Sequence, residues 1–578
     1  MDHSLEYLTI GIYLTFLLGI GFVFARFNRN LSDYVRGGGQ GTWWMVGMSI
    51  MMASVSTNTF VGNAGAAFQA GYTPVVVYLG SVVGGVICGL FLAAWCRQTR
   101  ALTVADLYRE RFGPEVEHFS VIVGIFLYPI SGGVMLLGLA IFCSSVFGVP
   151  VMPTIVVIGI VVMTYSTFGG RWAVMATDFF QGLILIPISI LVAWLSWKAV
   201  GGWEGFTSYF SAPDIAADFK FVKDPGQFSG DRFGWRWIVA VFLSMTMSVV
   251  SLSYAGRYLS VKDGREAKKA AWFTVFAGLF NIVVFFIPPI VARFLYADEV
   301  AGMALKTPSE SAYAVIAMKL LPNGLLGILM VAMFAATMSS MDSGLNGMTG
   351  TIVRNFFPAL WRRCGWPELG ERGTMLACKL VTVCLGCIII GVALALSLYP
   401  GLELFDVFLI VSSIIGLPIG MPLFFGMFVK KLPRWSFFFI MGCSLLPPIW
   451  SQIAGAFFDS PWSYHDRILG VIVAGSIGAV ISRLMYSWSS DDYKNRIEAF
   501  FVKMKTPIDY QQEVGENRDY SQYRMMGNVS VVGGGFILLL LLVPNETSGR
   551  LNVLFVSGFV MAVGCLLLWL AKGKRGKS

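Results

Sequence analysis

Residues 333–346 read MFAATMSSMDSGLN: three serines, a threonine and an aspartate set inside a long apolar run. Positions i, i+3, i+4 and i+7 line one face of an α-helix, so Ala336, Ser339, Ser340 and Ser343 share a stripe. Neutral hydroxyls on one stripe are hard oxygen donors suited to a dehydrated Na⁺. Small residues at this spacing also let membrane helices pack closely, and Ser and Thr hydroxyls bond back to their own helix, so packing is the competing reading. Asp342 shifts the balance, because a carboxylate at membrane depth faces a cavity, an ion or a partner. A second acid, Asp178, begins another apolar run in MATDFFQGLILIPISI, where a plain helix-entry acid is the alternative.

The rest of the chain has the same character. Of 578 residues, 56% are hydrophobic and 13% charged, a balance that excludes a soluble domain with a charged surface. Apolar runs recur at 5–26, 41–70, 74–96, 117–147, 151–168, 171–199, 235–256, 269–297, 310–353, 373–398, 402–429, 435–457, 467–487, 528–544 and 550–571. Each approaches or exceeds the length that crosses a hydrocarbon core of about 30 Å, which predicts an all-α polytopic membrane protein of about fifteen transmembrane helices. The basic residues fall in the loops between them: Arg26/Arg29/Arg36, Arg97/Arg100/Arg109/Arg111, Arg257/Lys262/Arg265/Lys268/Lys269, Arg354/Arg362/Arg363, Lys430/Lys431/Arg434, the 488–527 segment and the tail KGKRGKS. All of these lie on one side if the N-terminus is outside and the C-terminus inside. The net charge of +9 therefore reads as a topology signal and not as a nucleic-acid surface.

Nine cysteines, Cys384 and Cys387 among them, and the separated His3, His118 and His465 show no metal-ligand spacing. With no His/Cys constellation or activated nucleophile, no enzyme is expected and no cofactor is implied. The first apolar run lacks a preceding basic flank and is followed by Arg26 and Arg29, so a retained helix is expected there in place of a cleaved signal. The two longest hydrophilic stretches, 200–234 outside and 488–527 inside, are too small for catalytic domains.

Two spans carry polar centres. In the first, 41–70, the run Ser54-Val55-Ser56-Thr57-Asn58-Thr59 competes for backbone hydrogen bonds, so the helix is expected to unwind there. In the second, 235–256, Ser251-Leu252-Ser253-Tyr254-Ala255-Gly256 lies near the inner end. The two are separated by an odd number of spans and so cross in opposite directions, as an inverted five-helix repeat with a broken first helix in each half requires.

These segments together resemble the sodium:solute symporters, the family of sodium/glucose cotransporters and bacterial sodium/galactose, proline and sialic acid carriers. RYLSVKDGREAKKAAW (257–272) is similar to that family's signature after its sixth core helix, GGRWAVMATDFFQ (169–181) to the entry of its fifth, and FAATMSSMDSGLN (334–346) to its eighth. LSDYVRGGG (31–39) resembles its entry loop.

The resemblance implies a LeuT-type 5+5 inverted-repeat core over 41–429, with 41–199 and 235–429 as the two repeats. A preceding helix and loop would occupy 1–40, and additional C-terminal helices 430–578. It implies a sodium site at Met52, Val55, Ala336, Ser339 and Ser340. It further implies that Asp178, Ser339 and Ser343 match a second cation site of some members, with Asp342 where a hydroxyl is expected. On the solute side, Thr59, Tyr78 and Ser81 match sugar contacts without the glutamine and glutamate of galactose carriers. Ser251, Ser253 and Tyr254 stand where sugar carriers have an Asn-Gln segment. Phe60, Tyr78 and Tyr254 are aromatic candidates for gates.

The expected function is sodium-coupled symport of a small organic solute, sugar-like first, by alternating access. An amino acid or a carboxylate such as sialic acid or proline, or a non-transporting sensor on the same fold, is the alternative. The partners are the solute, Na⁺ and the bilayer of a cell membrane, here a bacterial inner membrane, with the protein a monomer or weak oligomer.

Overall fold

The computed structural model describes residues 8–12, 15, 19, 37–211, 213–365, 370–399, 403–458, 462–513, 515 and 519–574. The expected helix 5–26 and the 31–36 part of the entry loop lie largely outside them. Among the described residues the chain is all-helical, with one isolated backbone bridge, Gly41 to Val261, and 12 helices are long and apolar enough to cross a membrane.

The helical core runs through α1 (Trp43–Ser54), α2 (Gly62–Ala70), α3 (Thr73–Gln98), α4 (Pro114–Phe147) and α5 (Val151–Ala199). It continues through α6 (Trp235–Ser248), α7 (Gly264–Leu295), α8 (Leu325–Thr351), α9 (Glu371–Leu398) and α10 (Leu404–Phe428). Beyond it lie α11 (Ser436–Phe458), α12 (Tyr464–Leu484), the surface helix α13 (Asp491–Lys505), α14 (Asp519–Leu538) and α15 (Thr547–Lys574).

Three expectations are refined. The span 41–70 is two half-helices, each too short to cross alone. The span 310–353 is divided: Ala312–Leu320 is a separate short helix, and α8 starts only after Gly324, whose φ of 85° is a left-handed conformation that glycine adopts at no steric cost. The spans 151–168 and 171–199 are one helical run in α5, and it brings Ser166 beside Asp342 and Asp178 beside Ser339.

Helix α8 is the axis of the core, its most apolar 18-residue window entirely buried. Ser339, Asp342 and Ser343 are buried and so face protein. Several of the basic segments meet one another. Arg97 Nε donates to the Val261 carbonyl at 2.5 Å, Lys503 pairs with Glu110 at 2.8 Å, and Arg111 donates to Tyr493 Oη at 2.9 Å.

On the opposite face the 200–234 segment is an ordered cap over α2. Thr73 Oγ1 donates to the Phe221 carbonyl at 2.8 Å, and Phe219 fills the space a side chain at Gly71 would need. Arg232 reaches Glu403 at 2.8 Å and Asp406 at 3.3 Å while lying over the rings of Phe233 and Phe405.

Candidate functional site

The first break falls where the Ser/Thr/Asn run places it. Val55 (φ −105°, ψ 111°) and Ser56 (φ −125°, ψ 179°) are extended, and a short turn, Thr57–Phe60, follows. In a continuous helix the amides of Thr57 and Asn58 would satisfy the carbonyls of Ala53 and Ser54. Here Thr57 N–H donates to Thr337 Oγ1 at 3.2 Å and Asn58 N–H to Ser56 Oγ at 3.3 Å. The Thr57 and Thr337 hydroxyls are also in contact. The break thus releases backbone carbonyls opposite the hydroxyl stripe of α8.

The proposed sodium residues are brought together here. Met52, Val55 and Ala336 are fully buried, and Ser339 is nearly so with its Oγ unbonded. Ser340 Oγ lies 3.3 Å from the Ala53 carbonyl and 3.2 Å from that of Ala336, so its proton is shared between the facing helix and its own. The carbonyl it reaches belongs to Ala53, between Met52 and Val55.

One turn deeper is a buried ionic cluster. Asp178 Oδ2 accepts from Ser49 Oγ at 2.5 Å, and Ser49 Oγ accepts from Arg257 Nε at 3.3 Å. Arg171 Nε donates to Ser260 Oγ at 3.3 Å. Asp342 Oδ1 accepts from Asn346 Nδ2 at 3.0 Å. Two acids and two guanidiniums share the cluster, so no net charge is buried in it. Asp178 Oδ1, Asp342 Oδ2, Ser166 Oγ, Ser339 Oγ and Ser343 Oγ are buried and unbonded, which is an oxygen-only donor set.

Between the two breaks lies a cavity of about 180 Å³. The second break is a π-helical widening over Val249–Ser253 followed by Tyr254 (φ −103°, ψ 7°). Thr59, Tyr78, Ser81 and Tyr254 line the cavity. Tyr78 Oη donates to Thr59 Oγ1 at 2.9 Å and accepts from Asn63 Nδ2 at 3.3 Å.

Other expectations are corrected. Ser251 is not in the lining: its Oγ donates to the Met247 carbonyl at 2.6 Å and packs against Gly420. The side chain of Ser253 lies outside the described residues. Phe60 is packed between Phe285 and Tyr313, at 4.9 and 5.0 Å, and belongs to the core and not to a gate.

Sequence reasoning missed Asn58, Asn63 and Asn281, which line the cavity with buried amide atoms that have no partner. Both side-chain polar atoms of Asn281 are unbonded, and the residue is fully buried. A lone amide in the middle of the apolar run FNIVVFF was the signal that could have found it.

An all-helical membrane core with two interrupted helices around a central polar cavity defines a secondary transporter, not an enzyme. The chain matches the sodium:solute symporter family over residues 34–436 and belongs to it. It is similar to sodium/glucose cotransporter 1 of Sus scrofa, with 24% identity over 75% of this chain and 70% of that one. It is also similar to the sodium/glucose cotransporter of Vibrio parahaemolyticus, with 24% identity over 69% and 76%. Among solved structures it resembles a substrate-bound, outward-open Na⁺-coupled sialic acid symporter that reveals a novel Na⁺-site. The TM-score is 0.65 at 20% identity, covering 84% of this chain and 98% of that one. This likeness shows the LeuT-type fold. The protein is a multi-pass plasma-membrane protein whose activity is sodium-coupled symport of a solute.

Proposed function

We propose that the solute is a small uncharged polyol, a sugar or sugar-like molecule, held in the cavity between the two breaks. The observation that carries this reading is the lining: hydroxyls and three amides, with no Asp, Glu, Lys, Arg or His among the described residues. A carboxylate would enter a buried space without a counter-charge, at a cost that pairing must offset. The half-helix start that could hold an anion is already satisfied, with Thr57 N–H bonded to Thr337 and Asn58 N–H to Ser56. Amides and hydroxyls suit a polyol, since both donate and accept. The volume excludes drug-sized ligands, whose pockets start at about 300 Å³.

One Na⁺ is held by the freed carbonyls around Met52 and Val55, the Ala336 carbonyl, and the hydroxyls of Ser339 and Ser340. It joins α1 to α8 when bound and releases them when it leaves. A second cation takes Asp178, Asp342, Ser339 and Ser343, each of which has a buried, unbonded oxygen. Each Na⁺ crossing about 100 mV down a tenfold gradient supplies about 3.7 kcal/mol. Coupling follows because sodium and solute stabilise one shared conformation.

The test is uptake into proteoliposomes of labelled sugars, polyols, sialic acid, amino acids and carboxylates, with Na⁺, Li⁺ or protons alone as driving ion. Sodium-driven uptake of a neutral sugar or polyol is expected. Uptake confined to anionic or zwitterionic solutes would overturn the solute reading, and solute binding without uptake would make the protein a sensor. In Asp342→Asn, a sigmoid sodium dependence is expected to become hyperbolic; an unaltered curve removes the second cation.

A further inference from the structure

A helix N-terminus favours acids, yet α7 begins Gly264-Arg265-Glu266-Ala267-Lys268, with two cations near the positive end of a 32-residue dipole. The acids that could offset them are committed elsewhere. Asp263 Oδ1 accepts Glu266 N–H at 2.8 Å. Glu266 Oε1 accepts from Lys269 at 2.8 Å and its Oε2 from Trp43 N–H at 3.1 Å. Arg265 and Lys268 are exposed and have no ion pair or hydrogen bond among the described residues.

Both line a cleft of about 810 Å³. Its far wall is the end of α13 and the turn after it, where Lys505 is likewise unpaired. Asp509, on the same wall, is bound to its own turn through the amides of Gln511 and Gln512 at 3.1 and 3.3 Å. The Gln98 side chain adds a neutral donor. Three free cations, two from α7 and one from the end of α13, surround a space wide enough for a phosphate and its substituent.

We propose that this cleft is a binding site for a phosphate-bearing ligand, held by Arg265, Lys268 and Lys505. Its partner atoms are phosphate oxygens, which accept short charge-assisted bonds from guanidinium and ammonium donors. The site lies on the basic face, which the positive-inside rule assigns to the cytoplasm. It also has a mechanical consequence. Helix α13 and its following turn are already joined to the first repeat through Lys503–Glu110 and Arg100–Glu513, and to the end of α10 through Lys430–Glu498. A phosphate bridging Lys505 to Arg265 and Lys268 links the same strap to the start of α7. The bound form is therefore the one in which the strap lies closed across the core's basic face. None of this depends on which solute the cavity takes or on how many sodium ions bind.

Two measurements on the full chain test it. Isothermal titration calorimetry in phosphatidylcholine nanodiscs uses pyrophosphate as the soluble probe. Native mass spectrometry of protein from nanodiscs of mixed phosphatidylcholine and phosphatidic acid counts retained acidic lipid. Saturable binding in at least one arm is expected to weaken by at least about tenfold in the triple variant Arg265→Gln, Lys268→Gln, Lys505→Gln, and to fall with added salt. Lys505→Gln alone, on a separate element, is expected to give a smaller loss, so the test survives if the triple variant does not fold. Lys494→Gln, outside the cleft and paired with Asp491, serves as the unchanged control. Pyrophosphate binding identifies a soluble phosphate ligand, and retention of phosphatidic acid without pyrophosphate binding identifies a lipid headgroup. No binding in either arm, or binding undiminished in both variants, overturns the site.

Discussion

At Val55–Ser56 the first broken helix leaves helical geometry outright, its next amides bonded to side chains of α8 and of the break itself. Over Val249–Ser253 the second only widens to a π-turn before Tyr254. An extended break releases carbonyls, which suits ligation of a hard cation, whereas a π-turn displaces side chains while keeping most backbone bonds internal. On the proposed reading the two breaks serve different purposes: the first presents oxygen atoms to an ion, and the second shapes the wall of the solute cavity.

The largest expected effect tests the ion side. Ser340→Ala removes the hydroxyl between the Ala53 and Ala336 carbonyls, and the half-saturating sodium concentration for uptake should rise about ten- to hundredfold. An unchanged sodium response would detach the first break from ion binding.

Next in size is Asn281→Leu. It takes an unbonded amide out of the cavity wall and should weaken solute binding about tenfold, measured by equilibrium binding in saturating sodium, with little change in sodium affinity at fixed solute occupancy. Equal loss of both affinities would mean that the cavity and the ion site are not separable.

Gly420→Ala perturbs the second break alone. An added Cβ would lie 2.5 Å from Ser251 Oγ, so the π-turn must shift, and a loss of solute affinity of about fivefold is expected. A larger change in sodium affinity than in solute affinity would reverse the proposed division between the two breaks.

The smallest effect lies at the opposite face, where Glu310 Oε1 accepts the Leu404 N–H at 2.7 Å. Burial, with Glu403 and Asp406 adding to it against the Leu404 hydrogen bond, pushes the Glu310 carboxyl up to about 7. A carboxyl raised in the folded state contributes stability that is complete below its unfolded value and lost as pH rises through the folded one. The thermal unfolding midpoint should therefore fall between about pH 5 and pH 8, and Glu310→Gln should flatten that slope. The same slope in the variant would assign it to another group.

Much of the proposed ion side was legible in the sequence because its geometry depends on local rules. The i, i+3, i+4, i+7 spacing puts Ala336, Ser339, Ser340 and Ser343 on one stripe whatever surrounds the helix, and a Ser/Thr/Asn run inside an apolar span breaks it wherever it occurs. The sides of the membrane on which loops meet follow from charge and the parity of crossings. The cavity was not legible in the same way. Asn58 sits in the quoted polar run, but Asn281 stands alone in another helix, and Ser251 looked equivalent to Tyr254 until the π-turn directed it at Gly420. Which residues line a space between helices depends on helix rotation, bends and packing, and these are set by contacts hundreds of residues apart in the chain. The sequence by itself determined a membrane-spanning helical transporter with an oxygen-rich stripe on α8. Only the tertiary structure decided that the cavity between the breaks has no charged side chain among its described lining residues, and that Asp178 and Asp342 share one buried cluster with Arg171 and Arg257. It also placed Arg265, Lys268 and Lys505 around one cleft.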